Sequence, residues 1–323
     1  VTAVHTQPGQ PSVVTVDAGE PGSTESIPVE NRNIESRNIE SRHIEIRADV
    51  VVNATGVWTD DVRALASGEH PDSIRPAKGV HITVPWHTVG NDIAVIIPVP
   101  KDRRSLFVIP WEPLPDGTFR HAYVGTTDTD YQGDVDDPRC TADDVAYVLA
   151  ALNASVTTAI TEADITGVWA GLRPLVKSAP DGRTADLSRR HSITVDDSGV
   201  ISVAGGKLTT YRDMAEDTVD RVLKQLDRRA RCVTAKLGLL GAEGYREPAP
   251  EQRRLAHRYG TLRVELDALV ATDPSLAEPL VPGLGYIRAE AVYAVRNEMA
   301  LTLDDVLSRR TRARLADRDA AVA

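Results

Sequence analysis

A strand that runs straight into two glycines and then a helix constrains this chain more than any other feature. Val200-Ile201-Ser202-Val203-Ala204 is followed by Gly205-Gly206-Lys207-Leu208-Thr209-Thr210-Tyr211-Arg212. The helix carries an expected apolar stripe of Tyr211, Ala215, Val219, Val222, Leu223 and Leu226. Such a turn gathers unpaired backbone N–H groups and the positive end of a helix dipole at one point. That suits a phosphate or the electron-rich edge of a reduced flavin, with Lys207 adding a point charge. It suits equally well a plain strand-to-helix turn with a solvated lysine, so both readings stand at this level.

The rest of the pattern is mixed. Residues 1–47 read as an irregular linker or hairpin arm, with one strand-like run at Val13 to Val16. Arg32-Asn33-Ile34-Glu35-Ser36 recurs as Arg37-Asn38-Ile39-Glu40-Ser41, and this five-residue step matches neither a strand face nor a helical stripe. Val50-Val51-Val52 reads as a buried strand entering a turn at Ala54-Thr55-Gly56. Strand-like runs at Val80–Val84, Ile93–Val99, Leu106–Trp111 and His121–Gly125, parted by Pro, Gly and Asp, predict an antiparallel sheet. Thr141-Ala142-Asp143-Asp144 has capping-box spacing before the helical face Val145, Val148, Leu149 and Leu152. After about Ala235 the pattern turns helical: a helix stops at Gly260, a periodic stretch covers Tyr286 to Ala300, and Thr302 with Asp305 caps a last helix. The domains expected are therefore 48–237 and 250–323, in a fold of α/β (α+β mixed) class.

Composition excludes several functions. With 37 basic and 47 acidic residues the net charge is −10, which disfavours nucleic acid as a partner. Two cysteines, Cys140 and Cys232, make neither a disulfide framework nor a zinc site, and no metal is expected. No apolar run of about 18 residues is present to span a bilayer, and a cytoplasmic chain is expected. No GxSxG motif points to a hydrolase.

Three further groups could carry chemistry. Arg173, in Gly171-Leu172-Arg173-Pro174-Leu175, sits in an apolar run where a fixed guanidinium needs an anion. Arg190 precedes a strand and offers a second guanidinium. His81 alternates with Val80 and Ile82, so its side chain takes the opposite strand face; a hydrogen-bonded structural histidine is the competing reading. The cluster Arg309, Arg310, Arg312 and Arg314 reads as a solvated helix face, an internal ion-pair surface, or a contact for anionic lipid.

In order along the chain, Val51-Val52-Asn53-Ala54-Thr55-Gly56-Val57-Trp58, Lys78-Gly79-Val80-His81, Phe107-Val108-Ile109-Pro110-Trp111, Val124-Gly125-Thr126-Thr127-Asp128, the Arg173 and Gly205 segments, Glu298-Met299-Ala300 and Arg309-Arg310-Thr311-Arg312 resemble the FAD-dependent respiratory glycerol-3-phosphate dehydrogenases. The resemblance implies an FAD-binding domain interleaved with an antiparallel substrate domain, plus a C-terminal helical domain. It implies oxidation of glycerol 3-phosphate to dihydroxyacetone phosphate, with a quinone as electron acceptor and peripheral contact with the cytoplasmic membrane. A homodimer is among the partners considered. On that template Ala54, Thr55, Gly56, Gly205, Gly206, Lys207, Leu208 and Thr209 touch FAD, Arg173, Arg190 and Lys207 bind substrate, and His81, Arg173 and Lys207 act in catalysis. The family's GxGxxG loop does not occur among these residues. The reading therefore expects an incomplete FAD-binding domain, a fragment with little activity alone. The alternatives are another amine or hydroxy-acid oxidase of the same superfamily, or a non-catalytic remnant.

Overall fold

The computed structural model describes residues 1–6, 10–17, 43–100, 102, 104–177, 190–249, 252–319 and 321. They group into two compact units that share the chain by turns. One takes Val1–Lys78, Asp128–Pro138 and Leu172–Leu237; the other takes Gly79–Thr127, Arg139–Gly171 and Gly238–Ala323.

The first unit opens with β1 (Ala3–His5), β2 (Ser12–Asp17) and β3 (His43–Ala48), an antiparallel sheet in that order with Val14 opposite both Val4 and Ile46. The expected strand-like run Val13–Val16 is realised within β2, and the described residues add β1 and β3 as its partners, because alternating Val and Ile find partners across long sequence distances. The two full copies of the Arg-Asn-Ile-Glu-Ser repeat lie outside the described residues. Next come β4 (Val52–Asn53) and α1 (Thr59–Ser67). The expected buried strand Val50–Val52 is a correction: Val52 is exposed and Asn53 is the buried residue. A two-residue edge strand covers little apolar surface, and its anchor is polar instead. In α1, Asp60 is buried and accepts from Ser73 Oγ at 2.7 Å and from Ile74 N at 2.9 Å, which sets the start of β5 (Ile74–Pro85).

In the second unit β5 continues beside β6 (Val95–Pro98), β7 (Ser105–Pro113) and β8 (Phe119–Gly125). The strand β9 (Thr129–Asp130) pairs with β5 at Ala77 and Lys78 within the first unit. The sheet order is β10-β5-β8-β7-β6, where β10 spans Gly167–Val176, and the β5–β8, β7–β8 and β6–β7 pairs are antiparallel as expected. Val80, Ile82 and Val84 all point to the inner face and are fully buried. Ile82 and Val84 pack with Leu106, Val108, Ala122 and Val124 against Val148, Leu149 and Leu152 of α2 (Ala142–Asn153). Each such side chain contributes about 1.5–3 kcal/mol on burial. The capping box of α2 forms as read: Thr141 Oγ1 accepts from Asp144 N at 3.3 Å, and Asp144 Oδ2 accepts from Thr141 N at 2.9 Å.

The first unit closes with β11 (His191–Val195), β12 (Ile201–Gly205) and α3 (Tyr211–Gln225). The stripe expected on α3 is corrected. Tyr211, Ala215 and Val219 are exposed, and the covered line is Met214, Thr218 and Val222, spaced i, i+4. The α-helix also starts at Tyr211, after a 3-10 turn over Leu208–Thr210, rather than directly at Gly206.

The second unit ends in α4 (Arg253–Tyr259), α5 (Arg263–Thr272), α6 (Arg288–Asn297), a π-helical segment Asp305–Arg310, and α7 (Ala313–Ala316). Thr302 and Asp305 cap the π-helical segment reciprocally, at 2.9 and 3.1 Å. Glu290 is fully buried and pairs with both arms of Arg254 at 3.0 and 2.6 Å, the hydrogen bonding that a buried carboxylate requires. Arg309 and Arg314 both reach Asp304, so the internal ion-pair reading of that cluster is the one realised.

Sheet and helices of this unit meet at Glu112, which has a left-handed backbone, φ 59°. Its carboxylate accepts from Tyr286 Oη at 2.8 Å and lies 3.3 Å from His121 Nδ1. Burial pushes this carboxyl up, but the contacts with His121, Tyr286 and Arg120 outweigh it and hold the group below the ordinary carboxylate range. A depressed folded value adds stability above the unfolded pKa, about 4.3, and the gain is lost as pH falls through the folded value. Chemical unfolding of wild type and Glu112→Gln across pH 3–7 should therefore show a stability gap near neutrality that narrows below about pH 4. A gap constant with pH would mean that the charge on Glu112 contributes nothing.

Candidate functional site

The first unit's small sheet has the order β11-β12-β4, and β12 runs parallel to β4 with Ile201 opposite Val52 and Ser202 opposite Asn53. Parallel strands release their loops at the same end, and the carboxyl ends of such strands are where α/β folds bind ligands. The Ala54-Thr55-Gly56 turn and the Gly205–Thr209 segment therefore leave from one edge, although 150 residues of sequence part them.

Asn53 builds the first turn. Its Nδ2 donates to the Thr59 carbonyl at 2.9 Å and to Ser202 Oγ at 3.2 Å, and its Oδ1 accepts from Thr55 Oγ1 at 2.7 Å. One buried amide thus ties β4, β12 and the entry to α1 together. The sequence reading passed Asn53 over; an Asn ending a strand before Ala-Thr-Gly is the signal, since Asn side chains bond the backbone two residues on. Gly56 is left-handed, φ +66°, and a Cβ there would meet open space.

The glycine pair has a different cause from the one expected. Gly205 and Gly206 have φ of +75° and +78°. A Cβ on Gly205 would lie 2.7 Å from the Arg190 carbonyl oxygen, and one on Gly206 would lie 2.8 Å from Met214 Cε and against Met214 Sδ. The protein's own backbone and Met214 demand these glycines, whatever binds beside them. Lys207, Leu208 and Thr209 then face outward, Leu208 being 88% exposed. The Lys207 carbonyl accepts from Thr210 N and Oγ1, both at 3.0 Å, which shapes the short 3-10 turn.

Arg173 stands on β10 with its side chain 29% exposed, and its guanidinium is 3.6 Å from the carboxylate of Asp128, which is 9% exposed. The anion required by this guanidinium's setting is thus supplied in part from within. Asp128 was not singled out from sequence. Arg190 is exposed and its carbonyl abuts Gly205, so it stands at the same edge as the two loops. Val176 Cγ2 would lie 3.3 Å from a Gly205 Cβ, which brings the end of β10 to that edge too. His81 belongs to the second unit, on the outer face of β5 as its alternation predicts. Its ring stacks on Trp169 with centroids 4.2 Å apart.

Residues 24–212 match the family model described as FAD dependent oxidoreductase, and residues 232–323 match that of the C-terminal domain of alpha-glycerophosphate oxidase. Among curated proteins the chain is similar to glycerol-3-phosphate dehydrogenase 2 of Mycobacterium tuberculosis, 41% identical over 83% of this chain and 46% of the relative. The glycerol-3-phosphate dehydrogenase of Mycobacterium leprae is 42% identical, with the same coverage of 83% and 46%. The solved glycerol-3-phosphate dehydrogenase from Bacillus halodurans, complexed with FAD, superposes with a TM-score of 0.68 at 33% identity, over 86% of this chain and 56% of that one. The chain spans about half the length of the curated relatives it matches.

The cause assigned to the glycine pair has a measurable consequence. Gly206→Ala should lower stability by about 1–3 kcal/mol, from left-handed strain and the Met214 clash together. Adding Met214→Ala should return only the part due to the clash. If Gly206→Ala unfolds at the wild-type midpoint, the glycine is not there for backbone reasons.

Proposed function

The chain belongs to the FAD-dependent oxidoreductase family, and from that premise we propose that it binds FAD and serves the oxidation of glycerol 3-phosphate to dihydroxyacetone phosphate. The observation that carries this reading is the common exit of the Ala54–Gly56 and Gly205–Thr209 loops from the parallel pair β4–β12. The residues fit such a group. Gly56 opens on free space, and Lys207, Leu208 and Thr209 present exposed backbone and one cation at the start of a helical turn. Bound there, FAD supplies the two-electron acceptor that the reaction requires.

The remaining work falls to side chains. Oxidation at C2 of glycerol 3-phosphate removes hydride from carbon and a proton from the hydroxyl, which calls for a base and an orienting cation. His81 is assigned as the base and Lys207 as the cation. Arg173 and Arg190 are assigned to the phosphate, where planar guanidinium groups each make two parallel bonds. Asp128 holds Arg173 in place. The names of the relatives support glycerol 3-phosphate as substrate, and the sequence resemblance supports a quinone as acceptor. It also supports a cytoplasmic site of action with peripheral membrane contact. Among the described residues no helix is long and apolar enough to cross a membrane.

Two measurements test the reading. Titration of the purified chain with FAD should give a flavin spectrum perturbed from that of free FAD. Any dye reduction should then occur with glycerol 3-phosphate and not with glycerol or glycine. Reduction by glycine would move the chain to the amine oxidases, and no flavin binding would remove the cofactor assignment. In the flavin-loaded protein, Arg173→Lys should lower kcat/KM by about 30- to 1,000-fold, some 2–4 kcal/mol, for one lost charge-assisted contact. Lys224→Ala, on the exposed side of α3, should leave it unchanged. Equal kinetics for the two variants would take Arg173 out of the site.

A further inference from the structure

We infer that Trp169 is a positioning residue that fixes the imidazole of His81, an inference that rests on the assignment of His81 as the base. Four observations within the second unit converge on this ring. The His81 imidazole lies nearly parallel to the Trp169 indole, 15° between planes and 4.2 Å between centroids. Tyr123 meets it edge-on, at 6.0 Å and 66°. Gly125 is the register partner of His81 across β5–β8. A Cβ on Gly125 would fall 2.7 Å from His81 Cγ and 2.9 Å from Nε2, so the glycine leaves the room that the ring occupies.

The imidazole is thus held between an indole on one face and a bare backbone on the other. A histidine side chain has two soft torsions, and this slot stops both. His81 Nδ1 is buried, so the ring is set in depth as well as in angle. A proton acceptor works only when its lone pair is aimed at the proton, and misplacement by about 1 Å can lower a rate about 100-fold. Trp169 itself is anchored. It follows Gly167 by two residues, and Gly167 is pinned by the Thr83 hydroxyl at 3.0 Å and by the backbone of Leu315.

The test uses the whole chain with selectively 13C-labelled histidine, whose eight ring signals are assigned with His81→Gln. In the wild type the His81 ring protons should lie upfield of the other histidines, through the indole ring current. Trp169→Leu should move them to the ordinary position, and Trp169→Phe, which keeps a stacking face, should restore much of the shift. In the flavin-loaded protein Trp169→Leu should lower kcat about 10- to 100-fold with KM nearly unchanged, and Trp169→Phe should recover most of it. A His81 signal unaffected by Trp169→Leu, or a kcat unaffected where the signal moves, overturns the inference. If His81→Gln turns over normally, the assignment of His81 as base falls instead, and the ring-current result still reports on the clamp.

Discussion

Thr83 is fully buried near the carboxyl end of β5, and its hydroxyl lies 3.0 Å from the Gly167 carbonyl and 2.5 Å from the Leu315 carbonyl. One proton serves two acceptors, and the Thr166 hydroxyl donates to the same oxygen at 3.2 Å. This junction holds three distant stretches at a single point: the end of β5, the start of β10, and the C-terminal α7. Gly167 has no side chain because the Leu315 backbone takes that space. By the two-residue period of a strand, Thr83 shares its face with His81, while Ile82 and Val84 face α2. The sheet is therefore covered by aliphatic packing on one side and by a hydrogen-bonded junction on the other. His81, the residue assigned as base, falls on the polar side.

How much of this was legible depends on how local its cause is. The strands β5 to β8 follow from apolar alternation between turn residues, and α2 follows from a capping box four residues long, Thr141 to Asp144. Those signals are complete within a dozen residues. Asp128 and Gly167 carried no comparable signal, and Asn53 only the short one before Ala54-Thr55-Gly56, because their partners Ser202, Arg173 and Leu315 lie 45 to 149 residues away in sequence. The stripe on α3 was misread for a related reason. Hydropathy favours Tyr211 and Val219 as the inner line, but the helix turns Met214 and Thr218 inward, with the end of the Met214 side chain lying where a Gly206 Cβ would stand.

Charge obeys the same division. Arg309 and Arg314 converge on Asp304 at the surface, where such pairs are worth little individually. Glu290 is fully buried and Glu112 half-buried, each with several donors, and removing one partner there leaves a poorly compensated charge. The basic cluster looked the more conspicuous in sequence, yet the lone glutamates join helices to helices and helices to sheet.

The glycine pair shows why a motif and its function need separate arguments. Gly205-Gly206 is the strongest local pattern in the chain, and its glycines are accounted for by Arg190, Met214 and two left-handed backbone positions. A structural need for glycine therefore removes the pair itself as support for a ligand. What supports a ligand is the segment that the pair makes possible. Two successive left-handed residues turn the chain out of β12, so that Lys207, Leu208 and Thr209 emerge exposed beside the Ala54–Gly56 turn. An apolar residue as exposed as Leu208, between a lysine and a threonine at a helical start, has no role in the core. The case for a cofactor at this edge thus rests on residues after the glycines, and on the parallel pairing that brings the second loop alongside.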